Sequence, residues 1–297
     1  MTSTGDIRSG YVALVGRPNV GKSTLLNRLV GQKISITSRR PQTTRQRVIG
    51  IVTRENAQYV FVDTPGFQTR HGNAMNRLMN RSISSSMSGV DAIIWVVESL
   101  ALLAEDRAMP GLFPQGTPLL IAVNKTDTLA NKNELLPFME ELEALVHPRA
   151  IVPVSAAKGS GTEELLGVLR EFLPVQEYLY GEDEITTSSE RNLAGELLRE
   201  KLFRSLGAEL PYAAAVEIEK FEMVNGLRRI NAAILVDKPG QKAIVIGKGG
   251  EKLKQIATQA RKDMENLFGG KVFLEVWVRV KSGWADDRAV LKRTGIE

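Results

Sequence analysis

The feature that most constrains the fold of this chain is a glycine-containing loop that follows a short apolar segment. Residues 11–15 read Tyr-Val-Ala-Leu-Val, and residues 16–23 read Gly-Arg-Pro-Asn-Val-Gly-Lys-Ser. Residues with helical spacing come next, so the loop joins a buried strand to a helix N-terminus. Backbone N–H groups and the helix dipole converge on an anion at such a junction. The segment therefore predicts a phosphate-binding loop in an α/β domain.

The residues of this loop have separate predicted roles. Gly16 and Gly21 permit the turn and a close approach of the backbone to phosphate. Lys22 is expected to reach the β- and γ-phosphates, and the Ser23 hydroxyl is expected to bind Mg²⁺. The predicted nucleotide-binding residues of this segment are Gly16, Asn19, Val20, Gly21, Lys22, Ser23 and Thr24.

A second motif, Asp-Thr-Pro-Gly at residues 63–66, follows the apolar residues 59–62. Ligands bind at the carboxyl ends of strands in open α/β sheets, so Asp63 is placed to hold Mg²⁺ through water. The Gly66 N–H is predicted to sense the γ-phosphate. Alone, the motif is an ordinary turn; after a phosphate-binding loop, the functional interpretation is favoured.

A third motif predicts which base is bound. Asn124, Lys125 and Asp127 follow an apolar strand at residues 118–123. An Asp carboxylate accepts hydrogen bonds from guanine N1 and N2, and adenine offers no such pair of donors. Ser155 and Ala156 follow the strand at residues 150–153 and are predicted to contact the guanine O6 edge. The three motifs together predict a guanine-nucleotide-binding domain.

Composition limits the remaining possibilities. A chain of 297 residues suggests two domains, and it has no cysteine for disulfides or thiolate chemistry. The net charge is +5, and residues 239–297 carry twelve basic against seven acidic side chains. A basic C-terminal part predicts a polyanionic partner, either RNA or a membrane surface, with a solvated lysine-rich face as the alternative.

The chain divides into a predicted GTP-binding domain at residues 9–174, an acidic and polar linker at 175–190, and a second domain at 191–297. Apolar periodicity in the second domain predicts the order α-β-β-α-α-β, with a hairpin turn at Asn225-Gly226. Between its two later helices stands a Gly-x-x-Gly loop, which lets single-stranded RNA approach the backbone. A plain interhelical turn is the alternative. The predicted RNA-binding residues are Gly247, Lys248, Gly249, Gly250 and Lys252.

Read with residues 38–45 (Ser-Arg-Arg-Pro-Gln-Thr-Thr-Arg), 245–250 and 281–287, these motifs resemble the Era/TrmE-like family of GTPases over essentially the whole chain. The resemblance implies a Ras-like P-loop GTPase domain with a mixed sheet, followed by a C-terminal α+β KH domain of the bacterial type. It implies a GTPase that uses GTP or GDP and Mg²⁺ and binds the 3′ end of 16S rRNA in small-subunit assembly.

The resemblance also implies how GTP is hydrolysed. A threonine of the first switch, residues 34–47, closes on Mg²⁺, and the match favours Thr44 over Thr43. Phe67 stands where Ras-like switches carry a water-orienting glutamine, so charge and positioning must supply the chemistry. In the resemblance, Asn19 implies K⁺ beside the phosphates, with a role in shaping the loop as the alternative. The predicted catalytic residues are Lys22, Thr44, Gly66 and Asn19.

Three other functions are alternatives: a GTPase at a membrane surface, a tRNA-modifying GTPase, and an RNA-binding module with a vestigial nucleotide site. No basic amphipathic helix with aromatic anchors supports the first, and the cysteine-bearing tail expected of the second is missing. A vestigial nucleotide site is not expected in a chain that keeps the main nucleotide-binding side chains, Lys22, Ser23, Asp63 and Asp127. We expect a cytoplasmic monomer, with peripheral contact at the inner face of the cell membrane as an open alternative.

Overall fold

The computed structural model describes residues 6–38, 47–64, 66, 87–207, 210–284, 287, 290 and 294. The chain forms two compact units, and each is described by itself. The first consists of Met1–Ser35 and Arg39–Thr187, and the second of Ile36–Ser38 and Ser188–Glu297. Among the helices of the described ranges, none is long and apolar enough to cross a membrane.

The first unit is a six-stranded sheet with helices. Its strands are β1 (Arg8–Val15), β2 (Val48–Arg54), β3 (Ala57–Asp63), β4 (Ala92–Glu98), β5 (Leu119–Asn124) and β6 (Ala150–Pro153). Its described helices are α1 (Lys22–Val30), α2 (Ala104–Ala108), α3 (Leu135–Val146) and α4 (Thr162–Arg170). The strand order is β2-β3-β1-β4-β5-β6, with β2 antiparallel to β3 and the other pairs parallel. The predicted mixed sheet is confirmed.

The central strands are apolar on both faces because helices cover both sides of a parallel sheet. Val12 and Val15 of β1 are fully buried, and Trp95 of β4 packs in a core with Phe138 and Leu142 of α3. Since β1, β3, β4, β5 and β6 run in the same direction, their carboxyl ends meet at one edge of the sheet. The three predicted nucleotide motifs follow β1, β3 and β5 at that edge.

The segment that follows α4 contacts the first unit instead of leaving it directly. The Gln58 side chain of β3 donates to the Tyr180 carbonyl and accepts from the Tyr180 N–H, both at 2.9 Å. Further along, the Ile51 N–H of edge strand β2 donates to the Ile185 carbonyl at 2.9 Å. Residues up to Thr187, most of the segment predicted as a linker, therefore pack on the first unit.

The second unit has the predicted element order. Its elements are α5 (Glu190–Ser205), β7 (Ala214–Val224), β8 (Leu227–Val236), α6 (Pro239–Ile246), α7 (Glu251–Phe268) and β9 (Val272–Val280). The sheet order is β7-β8-β9, antiparallel and then parallel. Asn225 and Gly226 both have positive φ, 50° and 78°, as the tight hairpin turn between β7 and β8 requires. The α+β fold is confirmed.

The two faces of this small sheet are buried differently. One face packs on α5 and α7 through alternating residues such as Ile218 and Ile234. The other face is covered in part by Trp284, which is 2% exposed and donates its Nε1–H to the Ala213 carbonyl at 3.1 Å. The Lys-Ser-Gly-Trp segment that contributed to the family resemblance thus contains a core residue of the second unit.

Candidate functional site

The phosphate loop lies between β1 and α1, as predicted. Gly16 and Gly21 have φ of 149° and 103°, in the region that favours glycine. A Cβ at Gly16 would lie 2.4 Å from the Val96 carbonyl oxygen, and a Cβ at Gly21 would lie 2.2 Å from Asn124 Nδ2. Both glycines are therefore required by the left-handed backbone and by close neighbours.

Lys22 is the first residue of α1 and is only 6% exposed. Its Nζ donates to the carbonyl oxygens of Gly16 at 2.9 Å and Arg17 at 3.0 Å. Burial lowers the pKa of Lys22 from 10.5 to about 8, and the nearby Asp63 carboxylate only partly opposes this effect. A buried ammonium with this pKa is well placed to gain from an anionic ligand.

Two of the three predicted Mg²⁺ ligands, Ser23 and Asp63, are in direct contact. Ser23 Oγ donates to Asp63 Oδ2 at 2.7 Å, and Asp63 is fully buried at the end of β3. Ser35 Oγ, which the motifs did not identify, donates to the same oxygen at 3.1 Å. A carboxylate and hydroxyls gathered beside the phosphate loop form the hard oxygen donor set that Mg²⁺ prefers, so these residues fit the ion.

The switch residues are only partly within the described chain. Gly66 lies against the phosphate loop, because a Cβ there would be 2.7 Å from the Pro18 nitrogen. Thr44, Thr43 and Phe67 lie outside the described residues. Of the four predicted catalytic residues, the structure therefore places Lys22 and Asn19 in the phosphate loop segment and Gly66 against it. Asn19 has a φ of 66°, in the left-handed region.

The base motif is tied to the phosphate loop by one side chain. Asn124 Nδ2 donates to the Val20 carbonyl at 2.8 Å, and Asn124 Oδ1 accepts from the Ala156 N–H at 2.9 Å. Ser155 Oγ donates to Asp127 Oδ1 at 2.6 Å, which orients an exposed carboxylate. The structure thus brings Asn124, Asp127, Ser155 and Ala156 together beside the phosphate loop.

Several residues at the site had no motif to reveal them. Arg28 of α1 donates from Nε to the Ala156 carbonyl at 3.2 Å and from Nη2 to the Ala157 carbonyl at 2.6 Å. Asn27 Oδ1 accepts from the N–H groups of Ile34 and Ser35, both at 2.9 Å. The Arg28 contacts join residues 128 and 129 positions apart, so local sequence carries no signal for them.

The Gly-x-x-Gly loop joins α6 to α7. Gly247, Gly249 and Gly250 have φ of 74°, 60° and 80°. A Cβ at Gly247 would lie 2.7 Å from Lys252 Cβ, whereas Gly249 and Gly250 face open space. Lys248 is exposed, so its charge is accessible to a ligand.

An apolar residue beside this loop was missed by the sequence analysis. Ile244 of α6 is 52% exposed, although its neighbour Val245 is fully buried in the core. Its position three residues before Gly247, on the helix that leads into the loop, was the available signal. The loop therefore combines an exposed cation, open glycine backbone and an apolar neighbour, which together suit a nucleotide chain with charged phosphates and flat bases.

Comparisons with known proteins agree with this geometry. Residues 11–125 match the family model of the 50S ribosome-binding GTPase, and residues 209–285 match the KH domain. GTPase Era of Nitrosomonas eutropha is 53% identical over 99% of this chain and all of the relative. GTPase Era of Chromobacterium violaceum is 54% identical over the full length of both.

Solved structures show the same relationship. A variant of Aquifex aeolicus Era bound to GDP and AlF4⁻ has a TM-score of 0.93 and 34% identity, covering 97% of this chain and 99% of that one. Era in complex with MgGDPNP and nucleotides 1506–1542 of 16S ribosomal RNA has the same TM-score and identity, covering 98% and 99%. With the nucleotide motifs assembled at one sheet edge of the first unit and a KH fold in the second unit, this chain belongs to the Era family of GTPases.

Proposed function

We propose that this GTPase couples its nucleotide state to binding of the 3′ end of 16S rRNA during assembly of the small ribosomal subunit. The observation that carries the proposal is the hydrogen bond from Asn124 to Val20, which joins a guanine-recognition motif to a phosphate loop. The same chain presents a Gly-x-x-Gly loop. A related Era structure holds MgGDPNP and a fragment of 16S rRNA, which supports the proposal that this chain binds both kinds of ligand.

In this proposal, the guanine base is read by Asp127 while Ser155 fixes one of its carboxylate oxygens. Ala156 and Asn124 are hydrogen-bonded to each other beside the base, and Lys125 belongs to the same motif as Asn124. A base that lacks the N1–H and N2–H donors would leave the carboxylate unpaired, which is the physical origin of discrimination.

The phosphates are proposed to lie at the N-terminus of α1. Their ligands would be the N–H groups of the loop from Gly16 to Thr24, together with the Lys22 ammonium and, on the γ-phosphate, the Gly66 N–H. Mg²⁺ would be held by Ser23 and Asp63, and Thr44 remains the predicted further ligand outside the described residues. Mg²⁺ held there would neutralise negative charge on the phosphates.

Hydrolysis is proposed to rest on charge and positioning. Phe67 has no hydrogen-bonding group with which to orient an attacking water, so it cannot take the role of a switch glutamine. We propose that Asn19 helps to hold K⁺ beside the phosphates, where negative charge develops in the transition state. The Lys22 ammonium is proposed to stabilise the same charge.

The RNA-binding part is tested at the Gly-x-x-Gly loop. Lys248→Asp together with Gly249→Asp places carboxylates where a phosphate is expected. Filter binding to an oligonucleotide of the 16S rRNA 3′ end should weaken at least tenfold, which corresponds to about 1.4 kcal/mol. The assay is run with protein loaded with GDP and with a non-hydrolysable GTP analogue, and the two affinities should differ.

Lys271→Asp provides the control, because Lys271 is exposed before β9 and away from the loop in sequence. This variant should bind RNA nearly as well as the unmodified protein, apart from the general loss of one charge contact. Unchanged RNA affinity in the loop variant, with native circular dichroism and normal GDP binding, would show that the loop is only a turn. Equal RNA affinity in both nucleotide states would contradict the coupling.

We further propose that the protein acts as a cytoplasmic monomer. The alternative of a peripheral contact with the cell membrane predicts co-sedimentation with anionic vesicles that is lost at high salt. Sedimentation of the protein with and without such vesicles, with the loop variant as a comparison, separates the two.

A further inference from the structure

Four charged side chains at the edge of the nucleotide site form one connected cluster, here named the carboxylate bridge: Arg17, Glu98, Asp106 and Lys125. Glu98 Oε2 accepts from Arg17 Nη2 at 2.9 Å, and Glu98 Oε1 pairs with Lys125 Nζ at 2.8 Å. Asp106 Oδ2 accepts from Arg17 Nε at 2.8 Å. One carboxylate, that of Glu98, thus joins two cations from different motifs.

The strand order explains why Glu98 stands between these motifs. Arg17 is the second residue of the phosphate loop after β1, and Lys125 follows directly after β5. Strand β4 lies between β1 and β5 in the sheet, and Glu98 is its last residue, paired in register with Asn124. A carboxylate at this position can reach both neighbouring loops.

The cluster is shielded from water on the side of the phosphate loop. Asp106 is fully buried and the Arg17 side chain is 11% exposed, so this ion pair is weakly screened. Burial raises the pKa of Asp106, against the lowering effects of the Leu103 N–H and Arg17. For Glu98, burial also acts to raise the pKa, but Lys125 and Arg17 together lower it.

The bridge also reaches the residue that binds phosphate. The Arg17 carbonyl accepts a hydrogen bond from Lys22 Nζ at 3.0 Å. The Arg17 guanidinium donates in addition to the Ala101 carbonyl at 3.4 Å, so both ends of this residue are held. Arg17 therefore contacts Lys22 through its backbone carbonyl and Glu98 through its guanidinium.

We propose that Glu98 is a positioning residue that holds the phosphate loop and the guanine motif at a fixed separation, so that base recognition and phosphate binding reinforce each other. Arg17 and Lys125 engage both carboxylate oxygens of Glu98, so Glu98 acts through these two cations. This inference rests on the nucleotide-binding part of the proposed function.

The first test compares GDP with IDP, whose base lacks the N2 amino group. Asp127 is expected to accept one hydrogen bond fewer from IDP, so the ratio of the two affinities reports how well the base motif is aligned. In Glu98→Gln, GDP affinity should fall at least tenfold and the GDP-to-IDP ratio should fall at least threefold. Glu140→Gln, an exposed change on α3, should alter neither value.

A second test leaves Glu98 unchanged and needs no variant of it to fold. GDP affinity is measured for Arg17→Gln, for Lys125→Gln and for the double variant. Each loss of GDP affinity is expressed as a fold-change. If Glu98 couples the two cations, the fold-loss in the double variant should be at least threefold smaller than the product of the fold-losses in the two single variants. Melting curves verify that each variant is folded.

The outcomes separate the two levels of the proposal. Failure of the unmodified protein to bind GDP would overturn the proposed nucleotide function itself. Normal binding by the unmodified protein, with an unchanged GDP-to-IDP ratio in folded Glu98→Gln, would overturn the positioning role alone. Multiplicative losses for Arg17→Gln and Lys125→Gln would do the same.

Discussion

Nucleotide binding should take up a proton at Lys22. Burial lowers the pKa of this ammonium from 10.5 to about 8. The difference corresponds to about 3 kcal/mol against the charged form. This cost to folding is fully present below about pH 8 and is relieved as the pH rises toward 10.5, the ordinary pKa of lysine.

A phosphate group beside Nζ reverses the balance, because it favours the ammonium and raises the pKa again. Binding GDP should then take up about half a proton near pH 8 and about a tenth of a proton near pH 7. The loss of affinity should approach tenfold per pH unit above about pH 8, since only the charged fraction of Lys22 is ready to bind.

The assay is isothermal titration calorimetry of nucleotide-free protein with GDP and Mg²⁺, in buffers of different ionisation enthalpy. The variation of measured heat with that enthalpy gives the number of protons taken up. Lys22→Arg is the control, because a guanidinium stays charged over this range and any remaining uptake belongs to other groups. Proton uptake that does not increase between about pH 7 and about pH 8 would refute the reasoning.

Three further changes test the site. Asp127→Asn should weaken GTP binding and favour binding of xanthosine triphosphate, whose O2 can accept a hydrogen bond from the new amide. Full preference for GTP in competition binding would show that the base pocket is wrongly assigned. Replacing KCl by NaCl at fixed ionic strength should slow hydrolysis, measured as phosphate release, and Asn19→Ala should remove the difference; equal rates in both salts would remove the K⁺ role and leave the GTPase intact. Gly21→Ala should abolish GDP binding with native circular dichroism, because the backbone φ is 103° and the new Cβ would lie 2.2 Å from Asn124 Nδ2; normal GDP affinity would mean that the loop relaxes easily.

The sequence determined the order of the elements and the identity of the main motifs. Local pattern was enough for this, because strand and helix periodicity, the Asn225-Gly226 turn and the spacing of loop glycines depend on neighbours in the chain. The strand–loop–helix context around Lys22 and the strand ends at Asp63 and Asn124 then followed from the sheet, since parallel strands bring their carboxyl ends to one edge.

Tertiary structure alone decided which side chains support those motifs. Ser35 reaches Asp63, Arg28 holds the carbonyls of Ala156 and Ala157, and Glu98 joins Arg17 to Lys125. Each of these contacts joins residues far apart in the chain, and Ser35, Arg28 and Glu98 are common polar side chains that no motif names. Their partners are set by strand order and register, which place distant residues within hydrogen-bonding distance, and so only the folded chain reveals them.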